Sequence, residues 1–66
     1  MKVYDIDGKQ YHEEDMERIC RNVASNWGAQ VQRYEVRDGE IVIFCIEAGD
    51  KFITSISFNE VSEYDY

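Results

Sequence analysis

Residues 38–50 read Asp-Gly-Glu-Ile-Val-Ile-Phe-Cys-Ile-Glu-Ala-Gly-Asp, and this stretch decides the fold. Its six central residues, 41–46, are all apolar and mostly β-branched, which favours an extended strand over a helix. The run is bracketed by Asp38-Gly39 and Gly49-Asp50, dipeptides suited to tight hairpin turns because Asp and Gly tolerate a positive φ. Strands near 30–37 and 51–58 are therefore expected on either side, giving an antiparallel three-stranded meander. A third such dipeptide, Asp7-Gly8, predicts an N-terminal hairpin from 2–6 and 9–11.

Between the hairpin and the meander, Met16, Ile19, Cys20, Val23 and Trp27 recur at the spacing of one helical face, so a helix is expected over 13–27. Glu13, Glu14 and Asp15 crowd its first turn, where carboxylates meet the positive end of the helix dipole, and Gly28 is placed to cap its end. Glu14 with Arg18 and Glu17 with Arg21 stand in the favourable acid-first i, i+4 order and are expected to pair. The order is ββαβββ. The fold class expected is α+β: one small domain over 1–66, with the helix packed on a mainly antiparallel sheet and 59–66 as a flexible acidic tail.

Two-residue turns at 38–39 and 49–50 would fix the strand registers and sort side chains onto faces. Arg37 then faces Glu40, Val36 faces Ile41, Tyr34 faces Ile43 and Gln32 faces Cys45. Across the second hairpin Glu47 faces Phe52, Cys45 faces Thr54, Ile43 faces Ile56 and Ile41 faces Phe58. One sheet face collects Tyr34, Val36, Ile41, Ile43, Phe52, Ile56 and Phe58 and should receive the helix stripe, with Trp27 as a core anchor rather than a stacking platform. The other carries Val31, Val42, Phe44, Ile46 and Ile53 beside Arg33, Glu35, Arg37, Ser55 and Ser57. A strand apolar on both sides is expected to be covered on both. Three covers suit Phe44: the N-terminal hairpin, the C-terminal tail, or a second protein chain.

The chain has 66 residues, 14 of them acidic against 7 Lys and Arg, for a formal charge of −7. A chain this short buries roughly 60% of its unfolded surface, enough for one thin core. A two-domain enzyme is not expected, nor is an enclosed catalytic pocket unless subunits assemble to form it. With 44% hydrophobic residues and no Pro, the composition is that of a folding chain, not a disordered one. The acidity argues against direct contact with nucleic acid or an anionic membrane and points to a basic protein partner, although the same charge also serves solubility. Two cysteines and no apolar run of signal-peptide length lead to the expectation of a cytoplasmic protein.

Chemistry-bearing motifs are sparse. His12 is the only histidine and is expected to cap the helix rather than bind metal. Asp5-Ile6-Asp7-Gly8 resembles part of a calcium loop, but the first ligand position falls on Val3, which has no side-chain oxygen. Cys20 and Cys45 fall on core faces and are expected as buried free thiols. No catalytic residue, cofactor or metal site is expected, and the reading is of a non-enzyme.

Residues 34–66 hold eight acids against Arg37 and Lys51, while 1–33 hold six against five bases. The expected function is a small acidic binding module that occupies a basic, nucleic-acid-binding surface of a partner. By analogy of physical type, phage-encoded DNA-mimic inhibitors act in this way. Its candidate partner-binding residues are Glu35, Asp38, Glu40, Glu47, Asp50, Glu60, Glu63, Tyr64 and Asp65. The alternative is an assembly module forming a homodimer through Val31, Val42, Phe44, Ile46 and Ile53. Residues 59–66 themselves alternate acids and tyrosines, as a frayed terminus or as an arm that docks on a basic groove.

Overall fold

A computed structural model describes residues 2–66. The hairpin forms from β1 (Val3–Ile6) and β2 (Lys9–His12), with Asp7 and Gly8 both at positive φ in its turn. The helix α1 (Glu13–Ser25) follows, then β3 (Gln30–Arg37), β4 (Glu40–Glu47) and β5 (Asp50–Ser57), and a 3-10 helix over Phe58–Tyr64 ends the chain. The hairpin is a two-stranded sheet of its own, and β3-β4-β5 form an antiparallel meander. The architecture is α+β in the order ββαβββ. The radius of gyration, 11.3 Å, is close to the value of about 11 Å for a compact domain of this length.

His12 is the N-cap of α1, and Asp15 accepts a hydrogen bond from its backbone N–H at 3.0 Å. The helix stops two residues short of the expected end. Gly28, at φ +68, reverses the chain, with its own N–H donating to Ser25 O and that of Ala29 to Ala24 O. This double bond pattern satisfies the last carbonyls of the helix and needs the left-handed conformation glycine adopts freely. The same turn carries Trp27 off the apolar stripe. Met16, Ile19, Cys20 and Val23 are buried as expected, but Trp27 is 59% exposed, with its ring 6.3 Å from that of Phe52 on β5.

The first meander hairpin pairs Arg37 with Glu40, Val36 with Ile41 and Tyr34 with Ile43, as expected. Gln32 does not reach Cys45. A bulge between Val31 and Arg33 leaves Gln32 extra and sets Val31 opposite Cys45. Val31 is thereby moved from the second face to the helix side, where it packs against the core. The second hairpin turns at Ala48 and Gly49, both at positive φ, rather than at Gly49-Asp50. Glu47 now faces Asp50, Cys45 faces Phe52, Ile43 faces Thr54 and Ile41 faces Ile56, a slip of two residues from the expected register. A two-residue slip preserves the faces, so Phe52 and Ile56 still point to the helix.

The core lies between α1 and the meander, with Ile41, Ile43 and Cys45 of β4 buried against Met16, Ile19 and Cys20. Ile6 and Tyr11 of the hairpin enter it from one side. Residues 59–66, expected as a flexible tail, are held instead. Val61 is buried in the core, Asn22 donates to Tyr64 O at 2.7 Å, and Asp65 binds both Lys9 and Arg18.

Candidate interaction site

The helix side of the meander is filled, so the opposite face decides what the fold presents. Both candidate covers from within the chain are used elsewhere, since the hairpin and the C-terminal 3-10 helix pack on the helix side. Register places Glu40, Val42, Phe44 and Ile46 along the middle of the second face. Arg33, Glu35 and Arg37 flank them on β3, and Lys51, Ile53, Ser55 and Ser57 on β5. Over Phe44 lies the side chain directly opposite it: the Arg33 guanidinium carbon sits 3.7 Å from the ring centroid. A cation on an aromatic face at this distance contributes about 0.5–1 kcal/mol on an exposed surface. Glu35 accepts from Arg33 on one side and, at 2.7 Å, from Arg37 on the other, tying the row together along β3.

This roof is partial. Val42 is buried on this face, whereas Ile53, next to Phe44 on β5, is 64% exposed. Of the residues expected on this apolar face, Val42, Phe44, Ile46 and Ile53 are there and Val31 is not. The face is also not acidic, because Arg33, Arg37 and Lys51 accompany Glu35 and Glu40.

The expected partner-binding acids do not converge on one spot. Asp38 and Glu40 sit at the β3–β4 end, where Phe58 N–H donates to Gly39 O and brings Glu60 close. Glu47 and Asp50 flank the turn at the opposite end of the eight-residue β4, about 23 Å away. Three of the set are engaged within the chain. Glu35 is held by two arginines, Asp65 by Arg18 and Lys9, and Glu60 accepts from the Ser57 backbone at 3.0 Å. Those donors hold all three carboxyls below their ordinary pKa. Glu63 is exposed and Tyr64 is half-buried against the core.

Ion pairing redistributes the charge. Among the described residues Asp15, Glu35 and Asp65 share Lys9, Arg18, Arg33 and Arg37. The other eleven carboxylates take part in no ion pair, against Lys2, Arg21 and Lys51. Arg18 turns from Glu14 to Asp15 and Asp65, and Glu17 makes no ion pair with Arg21. The self-neutralised helix expected from the i, i+4 spacing is therefore replaced by an exposed acidic flank, with Glu13, Glu14 and Glu17 beside His12.

Cys20 and Cys45 are both free and buried, and desolvation pushes the Cys20 thiol up to about 12. A thiol so raised is a poor nucleophile at neutral pH. Among the described residues no three His, Cys, Asp or Glu side chains gather as a metal site, and no helix is long and apolar enough to cross a membrane. Compared with protein-family models, curated proteins and solved structures, the chain matches none.

Sequence reasoning overlooked two features. Arg33 stands opposite Phe44 in the very register read from the Asp38-Gly39 turn, so its role as a roof was available there. The Gln32 bulge carries no composition signal.

Proposed function

We propose that this protein is a small acidic binding module that docks, without catalysis, on a basic surface of another protein, of the kind that otherwise holds nucleic acid. The observation that carries the reading is the pairing pattern. Four of the seven bases are tied up by only three carboxylates, so the acid surplus stays available on the surface. A field of this kind steers a basic partner during encounter and is screened by salt. Asp38, Glu40, Glu47, Asp50 and Glu63 are the carboxylates of the C-terminal half that make neither an ion pair nor a cap, and they are the contacts we propose. The test is capture of a partner on the immobilised protein. A supporting partner carries a basic nucleic-acid site and is displaced by a DNA duplex; one that ignores DNA and lacks such a site sinks the reading.

The exposed Ile53 beside Phe44 favours a second reading, self-association through the open sheet face. Three strands of eight residues offer a footprint of about 14 by 26 Å, on the order of 400 Å² per copy. Stable interfaces take about 800 Å² per partner, so a dimer through this face alone is weak. Sedimentation of the wild type and of Phe44→Asp at high concentration separates the readings. A dimer lost in the variant supports self-association, and a monomeric wild type excludes it.

A further inference from the structure

Between α1 and the outer edge of β3 runs an open groove of about 680 Å³, lined on the helix by Glu17 and Arg21 and on the other side by Ala29 and residues 30–34 of β3. Its strand wall is an unpaired sheet edge. β3 has β4 on one side and no strand on the other, so the N–H and C=O groups that β4 does not take point outward, with the Gln32 bulge breaking their alternation. The Ala29 N–H is given to Ala24 O of the helix, but among the described residues no backbone hydrogen bond to another element reaches 30–34 on that edge. Tyr4, its ring 6.2 Å from that of Tyr34, stands at one end of the groove. The five strand residues 30–34 span about 16 Å, the length of an extended segment of about five residues.

The helix wall supplies the selectivity. Glu17 and Arg21 are spaced for an ion pair on one helix, yet they make none with each other, and Arg21 makes none with any described residue. Both residues line the groove with no ion pair of their own. Four residues of helix rise about 6.0 Å, and two residues of strand advance about 6.6 Å. A strand lying in the groove therefore presents side chains two apart, on its helix-facing side, in step with Glu17 and Arg21.

We propose that this groove binds an extended segment of a partner protein as a fourth strand on β3, selecting a base and an acid two residues apart that meet Glu17 and Arg21. The order of the two charges sets the direction of the added strand. Main-chain hydrogen bonds to the β3 edge give affinity that is independent of sequence, and the two charges give the choice. Proline is excluded from the segment wherever its N–H must meet the edge. This site lies apart from the carboxylates of the proposed acidic docking surface, and its occupancy does not depend on that reading.

The test is selection of a random seven-residue peptide display library on the immobilised full chain. Enriched peptides are expected to lack central proline and to carry the base and acid two apart. Against Arg21→Glu those peptides lose about tenfold in binding, and selection on that variant yields two bases in place of the pair. Glu17→Arg provides the mirror result, two acids, and serves if the first variant fails to fold by circular dichroism. A synthetic enriched peptide should shift the backbone amides of residues 29–34. The proposal is overturned by absence of enrichment on the wild type, by peptides indifferent to both substitutions, or by shifts confined to Val42, Phe44 and Ile53. It is equally overturned if those 29–34 amides shift with protein concentration and no peptide, since the occupant is then a second copy.

Discussion

The two faces of β4 are drawn from similar residues and meet opposite surroundings. Ile41, Ile43 and Cys45 lie against α1 and are essentially inaccessible, while of the residues alternating with them Val42 is buried but Phe44 and Ile46 are only half-buried, with Arg33 lying over Phe44. Hydrophobicity of the strand alone does not tell these sides apart. What separates them is the neighbours: an amphipathic helix, the β1–β2 hairpin and the C-terminal 3-10 helix on one side, and a row of charged side chains from β3 on the other. A cationic side chain bridged by a carboxylate can shield an aromatic ring without a further layer of chain, as the stem and planar head of Arg33 do here.

The sharpest way to break this comparison is to truncate adjacent residues on opposite faces. Ile43→Ala should cost about 2–5 kcal/mol, because it opens a cavity in the sealed core. Phe44→Ala, one residue on, should cost less than half of that, since its outer side already faces solvent. Denaturant unfolding of the two variants measures the difference, and equal losses would mean that the second face is as sealed as the first. Val61→Ala comes next, at about 2 kcal/mol, with the loss showing that the C-terminal 3-10 helix belongs to the helix-side core.

Turn substitutions should give smaller and opposite changes. Gly28→Ala is expected to destabilise by about 1 kcal/mol, because its φ of +68 disfavours a side chain and a new Cβ would stand 3.1 Å from Glu47 Oε2. Ala48→Gly should stabilise by about 0.5–1 kcal/mol, since Ala48 holds a left-handed φ of 50 in the β4–β5 turn. Thermal melting of each reads the sign. Arg33→Ala should destabilise by a similarly small amount, about 0.5–1 kcal/mol, and should raise the exposure of Phe44 to solvent.

Stability should also fall at both extremes of pH, for reasons that belong to different places. Asp15, Glu35, Glu60 and Asp65 have carboxyls held low by their donors, so their contribution is complete above the ordinary carboxyl range near pH 4. It is lost as the pH drops through the folded values. The Cys20 thiol, raised to about 12 by burial, acts in the other direction: the unfolded chain ionises from about pH 9, and the fold weakens as pH rises from there. Burial raises the Cys45 thiol and the Tyr34 hydroxyl in the same direction, so Cys20→Ala should reduce the alkaline loss in an unfolding titration without abolishing it and leave the acid limb unchanged.

Much of the fold was legible because its signals are local. Asp-Gly turns, a period of 3.6 over 16–23 and a β-branched run each act within a few residues, and together they specify ββαβββ. Trp27 was misplaced because the capping turn at Gly28 ends the periodicity before it does. The two-residue slip at Ala48-Gly49 arose because Ala is an uncommon residue at positive φ, so the dipeptide after it looked the better turn. Val31 changed faces through a bulge at Gln32, which depends on how the whole sheet twists over the helix. The C-terminal segment looked loose because Val61 is one apolar residue among acids, and its burial is visible only once the helix is in place.

Charge followed the same rule. Counting placed the surplus in the C-terminal half, but tertiary pairing engages Glu35, Asp65 and Glu60 there and leaves Glu13, Glu14 and Glu17 on the helix outside any ion pair. The acidic surface is thus distributed around a sheet face that is itself mixed in charge.

The most direct test of the proposed docking is the affinity of a captured partner measured by calorimetry from about 50 to 300 mM salt. Carboxylate-directed docking on a basic surface predicts a loss of roughly tenfold or more over that range, as screening removes the attraction. An affinity that does not change with salt would contradict it.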